Sequence, residues 1–216
     1  MMTFQDWGEI PYNDAWQRQE QMMQQQVSRK MNGEPTENTL VFCQHPHVYT
    51  LGKSGKAGNM LYDDGTIPFV KTNRGGDITY HGPGQITGYP IFDIETFNLG
   101  LKNYIYNVEE CIIRTIALYG ITGERLEGAT GVWIEAHTPR ARKICAIGVR
   151  ASHFVTMHGF ALNVNTDLSY FQRINPCGFV DKGVTSIARE VGHEVDYEVV
   201  KQQLHQKFIE VFESDK

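Results

Sequence analysis

The stretch K-I-C-A-I-G-V-R-A-S-H-F-V-T-M-H-G-F-A-L-N-V, residues 143 to 164, decides the fold class. Its β-branched and apolar runs are too short for helices and are broken by polar residues and glycine. They read as strands over 143 to 150, 153 to 156 and 159 to 164. Another strand, T-G-V-W-I-E, precedes them at 130 to 135. Strands joined by such short turns leave no room for the crossover of about a dozen residues that a parallel pair needs. The expectation is an α+β fold with a mixed, largely antiparallel sheet flanked by helices, not a doubly wound parallel sheet.

Outward from this centre, T-L-V-F-C-Q (39 to 44) reads as a short buried strand. Residues 13 to 31 read as a helix, because Ala15, Trp16, Met22, Met23 and Val27 recur at near-helical spacing in a glutamine-rich background. Segment 97 to 120 carries Leu101, Ile105, Val108, Ile112 and Ile116, with Asn98 as the expected cap and Gly120 as the stop. A last amphipathic helix is expected over Tyr197 to Glu213. No repeat or linker interrupts the chain, so residues 1–216 are expected to form a single domain.

The bulk properties are those of an ordinary soluble protein: 216 residues, 41% hydrophobic and 21% charged. No apolar run approaches the roughly 20 residues that span a bilayer, and no export signal opens the chain, so a cytoplasmic address is expected. The four cysteines are then expected to be free thiols. A net charge of -5 argues against general nucleic-acid binding.

Four segments invite a chemical reading. G-K-S-G-K-A (52 to 57) resembles a phosphate loop, but the pattern needs four residues between its glycines, and Ala57 stands where a hydroxyl should be. A mobile basic loop is the better account. C-Q-H-P-H (43 to 47) gathers Cys43, His45 and His47 without a second ligand pair, so no metal is expected. R-G-G-D-I-T-Y-H-G-P-G-Q (74 to 85) packs glycines and a proline among polar side chains, and suits either a turn or a ligand wall. In H-G-F-A-L-N-V-N (158 to 165), Gly159 and Ala161 permit close core packing or approach of a ligand, and the local pattern favours packing.

A nucleophilic thiol needs access and a base or cation that populates its thiolate. Cys43, in an apolar strand, and Cys111, on a helix flank, read as core. Cys145 lies where period two puts Lys143, Cys145, Ile147 and Val149 on one face. Cys177 lies in I-N-P-C-G-F (174 to 179), a turn that holds a side chain at a surface. Lys143 opens an otherwise apolar strand and is the candidate partner. Spacing alone ranks Cys177 only just above Cys145.

Together these segments resemble the lipoyl(octanoyl) transferase family. H-P-x-V-Y-T-L-G (45 to 52), the stretch 74 to 85, G-V-W (131 to 133), K-I-C-A-I-G-V-R (143 to 150), H-G-F-A-L-N-V (158 to 164), N-P-C-G (175 to 178) and V-T-S-I (184 to 187) occur in the family's order. The resemblance implies a fold like the biotin and lipoate protein ligase catalytic domains. It implies transfer of an octanoyl group from octanoyl-acyl carrier protein to a lysine of lipoyl domains, the first step of endogenous protein lipoylation. The acceptors it implies are 2-oxoacid dehydrogenases and the glycine cleavage H protein, with no cofactor, nucleic acid or membrane involved. It carries the catalytic roles to Cys177 and Lys143. It carries substrate contacts to Arg74, Gly75, Gly76, Asp77, Ile78, Thr79, Tyr80 and His81, to Ala146, Ile147 and Gly148, and to Gly159, Phe160 and Ala161. Cys145 and Asp77 receive no catalytic role.

The carrier and acceptor domains implied are acidic, so a local basic surface is expected, with Lys53, Lys56, Lys71, Arg140 and Arg142 as candidates. Two rival readings are an ATP-dependent lipoate ligase, which needs no nucleophilic cysteine, and a non-catalytic acyl-binding protein.

Overall fold

The computed structural model describes residues 1–175 and 182–213. In chain order its elements begin with β1 (Met2–Glu9), α1 (Tyr12–Met31), β2 (Asn38–Gln44), β3 (Val48–Leu51), β4 (Phe69–Lys71), β5 (Ile78–His81) and β6 (Gln85–Ile91). They continue with α2 (Leu101–Ala117), β7 (Gly131–Ile134), β8 (Arg142–Ser152), β9 (Val155–Asn163), β10 (Gly183–Val184), α3 (Ile187–Val191) and α4 (Tyr197–Glu213).

The main sheet runs β1-β2-β6-β9-β8-β10, and β7 also pairs with β8. Only β1 with β2 and β8 with β10 are parallel in this sheet; its other pairs are antiparallel, as expected. A smaller sheet, β4-β3-β5, stands beside it. Alternation along β2 sends Leu40 and Phe42 into a core with α2 and α4, and Val41 and Cys43 towards Ala15 of α1. The sheet is thus covered on both faces. Phe208 of α4 is fully buried in the larger core, a burial that stabilises by about 1.5–3 kcal/mol.

Several boundaries differ from the sequence expectation for identifiable reasons. Residues 153 to 156 are not a separate strand: His153 and Phe154 form the two-residue turn of the β8–β9 hairpin, with φ of 50° and 63°. Paired positive φ angles fit the right-handed strand twist, but glycine or asparagine is the usual sign of them, so the turn was hidden. Asn98, expected to cap α2, sits at φ 56° and closes the preceding 3-10 turn Ile94–Phe97; Gly100 holds the cap position of α2. On α1 the buried stripe is Tyr12, Ala15, Gln19, Met23 and Gln26. Two glutamines lie in it because each does structural work: Gln19 accepts the His158 N–H at 2.9 Å and Gln26 accepts the Glu37 N–H at 2.8 Å.

Candidate active site

A cavity of about 580 Å³ opens between β8–β9, the smaller sheet and the start of α1. Its size is that of a small-ligand site. Every expected substrate-contacting residue except Tyr80 lines it, as do Lys143 and the chain at Lys182, Gly183 and Val184. Tyr80 is engaged elsewhere: its hydroxyl meets His47 Nδ1 at 2.6 Å and its ring stacks on Tyr170. Cys177 lies outside the described residues.

Lys143 reaches the cavity because of a bulge. On β7, Val132 and Trp133 are adjacent, yet their partners on β8 are Cys145 and Lys143, so Ile144 is an extra residue. An extra residue reverses the alternation locally. Lys143 therefore shares the cavity with Ala146 and Gly148, while Cys145 joins Ile144 in the core. This corrects the single face expected for Lys143 and Cys145. Burial pushes the Cys145 thiol well up, as it does those of Cys43 and Cys111, so none of the three is a ready thiolate. The strand around Lys143 is clamped on both edges, pairing with Trp133 of β7 and Val184 of β10. Its Nζ donates to Thr130 O at 3.2 Å and stands 4.6 Å from the Trp133 ring centre.

The Arg74–Asp77 loop forms the facing wall. Gly75 N–H donates to Val149 O at 2.9 Å, and a Cβ on Gly148 would stand 2.7 Å from Gly75 O. Glycine at 148 is thus required by backbone packing. The same holds for Gly159, whose Cβ would stand 2.2 Å from Gly88 O. Behind the loop, the N–H groups of Gly52, Lys53 and Ser54 donate to the carbonyls of Asp77, Arg74 and Gly76. The G-K-S segment is a brace, not the loose basic loop expected. Asp77 is occupied with Asn59 and the Ile78 N–H.

A polar chain runs behind this wall. The Arg74 guanidinium, 8% exposed, donates to Thr50 O and Oγ1 and to Gly75 O. Gln85 Nε2 donates to Tyr80 O and Asn163 Oδ1, so Gln85 Oε1 must accept from His81 Nδ1–H at 2.9 Å. His81 Nε2 then accepts from the Thr50 hydroxyl at 3.2 Å. Asn163 Nδ2 donates to Thr185 O, and the Thr185 N–H donates to Lys143 O at 2.9 Å. Thr50, Gln85, Asn163 and Thr185 were missed as site residues. The signal for Thr50, Gln85 and Asn163 was a polar side chain within or at the end of an otherwise apolar strand; Thr185 follows β10 and had no such signal.

The three buried histidines here are neutral. Burial, then the nearby His45 and Arg74, hold His81 well below its ordinary range. Burial lowers His45 to about 4, and burial with the Arg74 and Arg150 charges lowers His158 to about 3. His45 Nδ1 donates to Ile10 O and its Nε2 accepts from Tyr89 OH, both at 2.6 Å. Among the described residues no three His, Cys, Asp or Glu side chains converge as a metal site would require. None of the described helices is long and apolar enough to cross a membrane.

The expected basic surface is only partly present. Lys53, Lys56 and Lys71 are exposed. Arg140 and Arg142 are instead paired with Glu135, and Arg142 also with Glu190, so acidic groups stand beside both.

Comparison with known proteins agrees with this geometry. A family model for the lipoyl protein ligase A/B catalytic domain matches residues 11–209. The chain is 59% identical over 204 residues to a protein named octanoyltransferase from Bacteroides thetaiotaomicron, covering 92% of this chain and 90% of that one. To the octanoyltransferase of Parabacteroides distasonis it is 57% identical over 215 residues, covering 97% of each. Among solved structures, a bipartite lipoate protein ligase from Thermoplasma acidophilum superposes with a TM-score of 0.70 at 16% identity, over 98% of this chain and 84% of that one. The biotin protein ligase of Aquifex aeolicus gives 0.52 at 12% identity, over 99% and 69%. Those two share the fold. The chain belongs to the lipoyl protein ligase A/B catalytic-domain family and, within it, to the octanoyltransferases.

Proposed function

We propose that this enzyme moves an octanoyl group from octanoyl-acyl carrier protein to a lysine of lipoyl domains, through a thioester on Cys177 with Lys143 as general acid and base, in the cytoplasm. The observation that carries the reading is the Lys143 amine in a cavity that is also lined by the loop 74–77, by Gly148 and Ala161, and by Lys182 to Val184, which follow the Cys177 segment.

In this scheme Lys143 Nζ takes the proton of the Cys177 thiol, and the thiolate attacks the thioester carbonyl. The carrier's thiolate leaves and takes the proton back from Lys143. The acceptor lysine's amine then attacks the acyl-enzyme, its proton passes to Lys143, and the Cys177 thiolate departs. The donor is already a thioester, so no nucleotide is consumed. Gly75 N–H is committed to Val149 O, so Gly76 N–H, in a backbone turn at φ 82°, is the donor proposed for the oxyanion. Burying six methylenes of the acyl chain at about 0.8 kcal/mol each supplies about 5 kcal/mol of anchoring.

The test is transfer from octanoyl-acyl carrier protein to an isolated lipoyl domain without ATP. Native enzyme is expected to complete it, and Lys143→Ala to slow it by about 100-fold or more. An absolute requirement for ATP would return the chain to the ligase reaction.

A further inference from the structure

One buried carboxylate takes no part in the scheme above, yet it lies behind Lys143. Glu109 of α2 is 7% exposed, on a helix whose other buried residues are Tyr104, Val108, Cys111, Ile112, Thr115 and Ile116. A carboxylate is costly in such a place unless both oxygens are satisfied. Oε2 accepts from Arg125 Nε at 3.1 Å, and Oε1 accepts the Gly131 N–H at 3.0 Å.

Gly131 N–H and Thr130 C=O belong to the same peptide unit, and Thr130 O accepts from Lys143 Nζ at 3.2 Å. A trans peptide is planar, and its N–H and C=O point in opposite directions. Glu109 therefore holds one edge of the plane whose other edge meets the amine. Gly131 adopts φ 126°, and a Cβ there would stand 2.5 Å from Cys145 O, so this peptide is pressed against β8. A negative charge on the N–H side also polarises the carbonyl and strengthens its hold on the amine.

We propose that Glu109 is the positioning residue for Lys143, acting through the Thr130–Gly131 peptide. The inference rests on Lys143 being the acid and base of the reaction. Arg125 keeps a second carboxylate, Glu110, at 2.7 Å, so the loss of Glu109's charge leaves the arginine paired.

Reach and charge separate in two variants. Glu109→Gln keeps an acceptor oxygen at the same reach, and Glu109→Asp keeps the charge but withdraws by one methylene. With both proteins folded by thermal melting, kcat and donor KM are measured for transfer to a lipoyl domain. Glu109→Gln is expected within about threefold of native kcat, because the peptide stays held. Glu109→Asp is expected to lose about 10–100-fold in kcat with donor KM within about twofold, the scale of a misplaced catalytic group. A near-native kcat for Glu109→Asp, or a Glu109→Gln as slow as Glu109→Asp, overturns the proposal. Lys143→Ala serves as the control: if it transfers normally, the role given to Lys143 fails first, whatever Glu109 does.

Discussion

The cavity wall made by β8 and β9 is held by backbone packing, whereas the wall made by residues 74 to 85 is held by buried side-chain hydrogen bonds. Gly148 and Gly159 press against Gly75 O and Gly88 O with no room for a methyl group. Across from them, Arg74, Thr50, His81 and Gln85 form a chain of donors and acceptors that contains the neutral His81 and ends on Asn163 of β9. The first wall is sensitive to volume; the second, which His158 of β9 joins through Asn73, is sensitive to protons. Lys143 stands at their junction, on the strand of one and tied by Thr185 to the polar chain of the other.

That contrast can be broken by experiment, beginning with the largest effect. Gly159→Ala places a Cβ 2.2 Å from a backbone oxygen and is expected to cost about 3 kcal/mol in denaturant unfolding. A neutral result would show that the β9 wall is not backbone-limited. Next, a hexanoyl donor buries two fewer methylenes, about 1.6 kcal/mol, and is expected to bind about tenfold more weakly than octanoyl in a competition assay. Equal binding would place the acyl chain outside the cavity.

Third comes the acid limb of stability. His45, His81 and His158 have folded pKa values below the ordinary 6.5, with His45 at about 4 and His158 at about 3. Below 6.5 the unfolded chain takes up protons that the folded state refuses, so stability is present above that pH and is lost as pH falls towards 4 and then 3. The loss by pH 5.5 is on the order of 1 kcal/mol each for His45 and His158, and His158→Gln is expected to flatten the slope of unfolding free energy against pH. An unchanged slope in that variant would contradict the neutral assignment. The smallest effect expected is at the rim, where Lys53→Glu with Lys56→Glu slows transfer from carrier protein a few-fold at low salt and less at high salt. A rate independent of both charges would remove that surface from docking.

Much of this was legible beforehand. The C-terminal helix follows its apolar spacing from Tyr197 to Glu213, and the antiparallel centre follows from short turns between apolar runs. The cavity-lining segments were found by motif. What periodicity could not show was the bulge at Ile144, because a period of two assumes an unbroken ladder; that one residue separates Lys143 from Cys145. Nor could it show that Arg142 pairs with Glu190, since an ion pair so distant in sequence leaves no local trace. Strand β1 stayed invisible because its residues are mostly exposed, in the pattern of an edge strand with little apolar signal. Glu109 was hidden for the opposite reason: within an apolar helix face one acidic residue looks like a boundary, not a buried tether.

The central claim is that Cys177 carries the acyl group between donor and acceptor. It is tested most directly by incubating the enzyme with octanoyl-acyl carrier protein, omitting the acceptor, and weighing the intact protein. One added octanoyl group is predicted for the native chain and none for Cys177→Ala, with the adduct discharged when a lipoyl domain is supplied. Turnover without any adduct, or an adduct that persists in Cys177→Ala, would contradict the account.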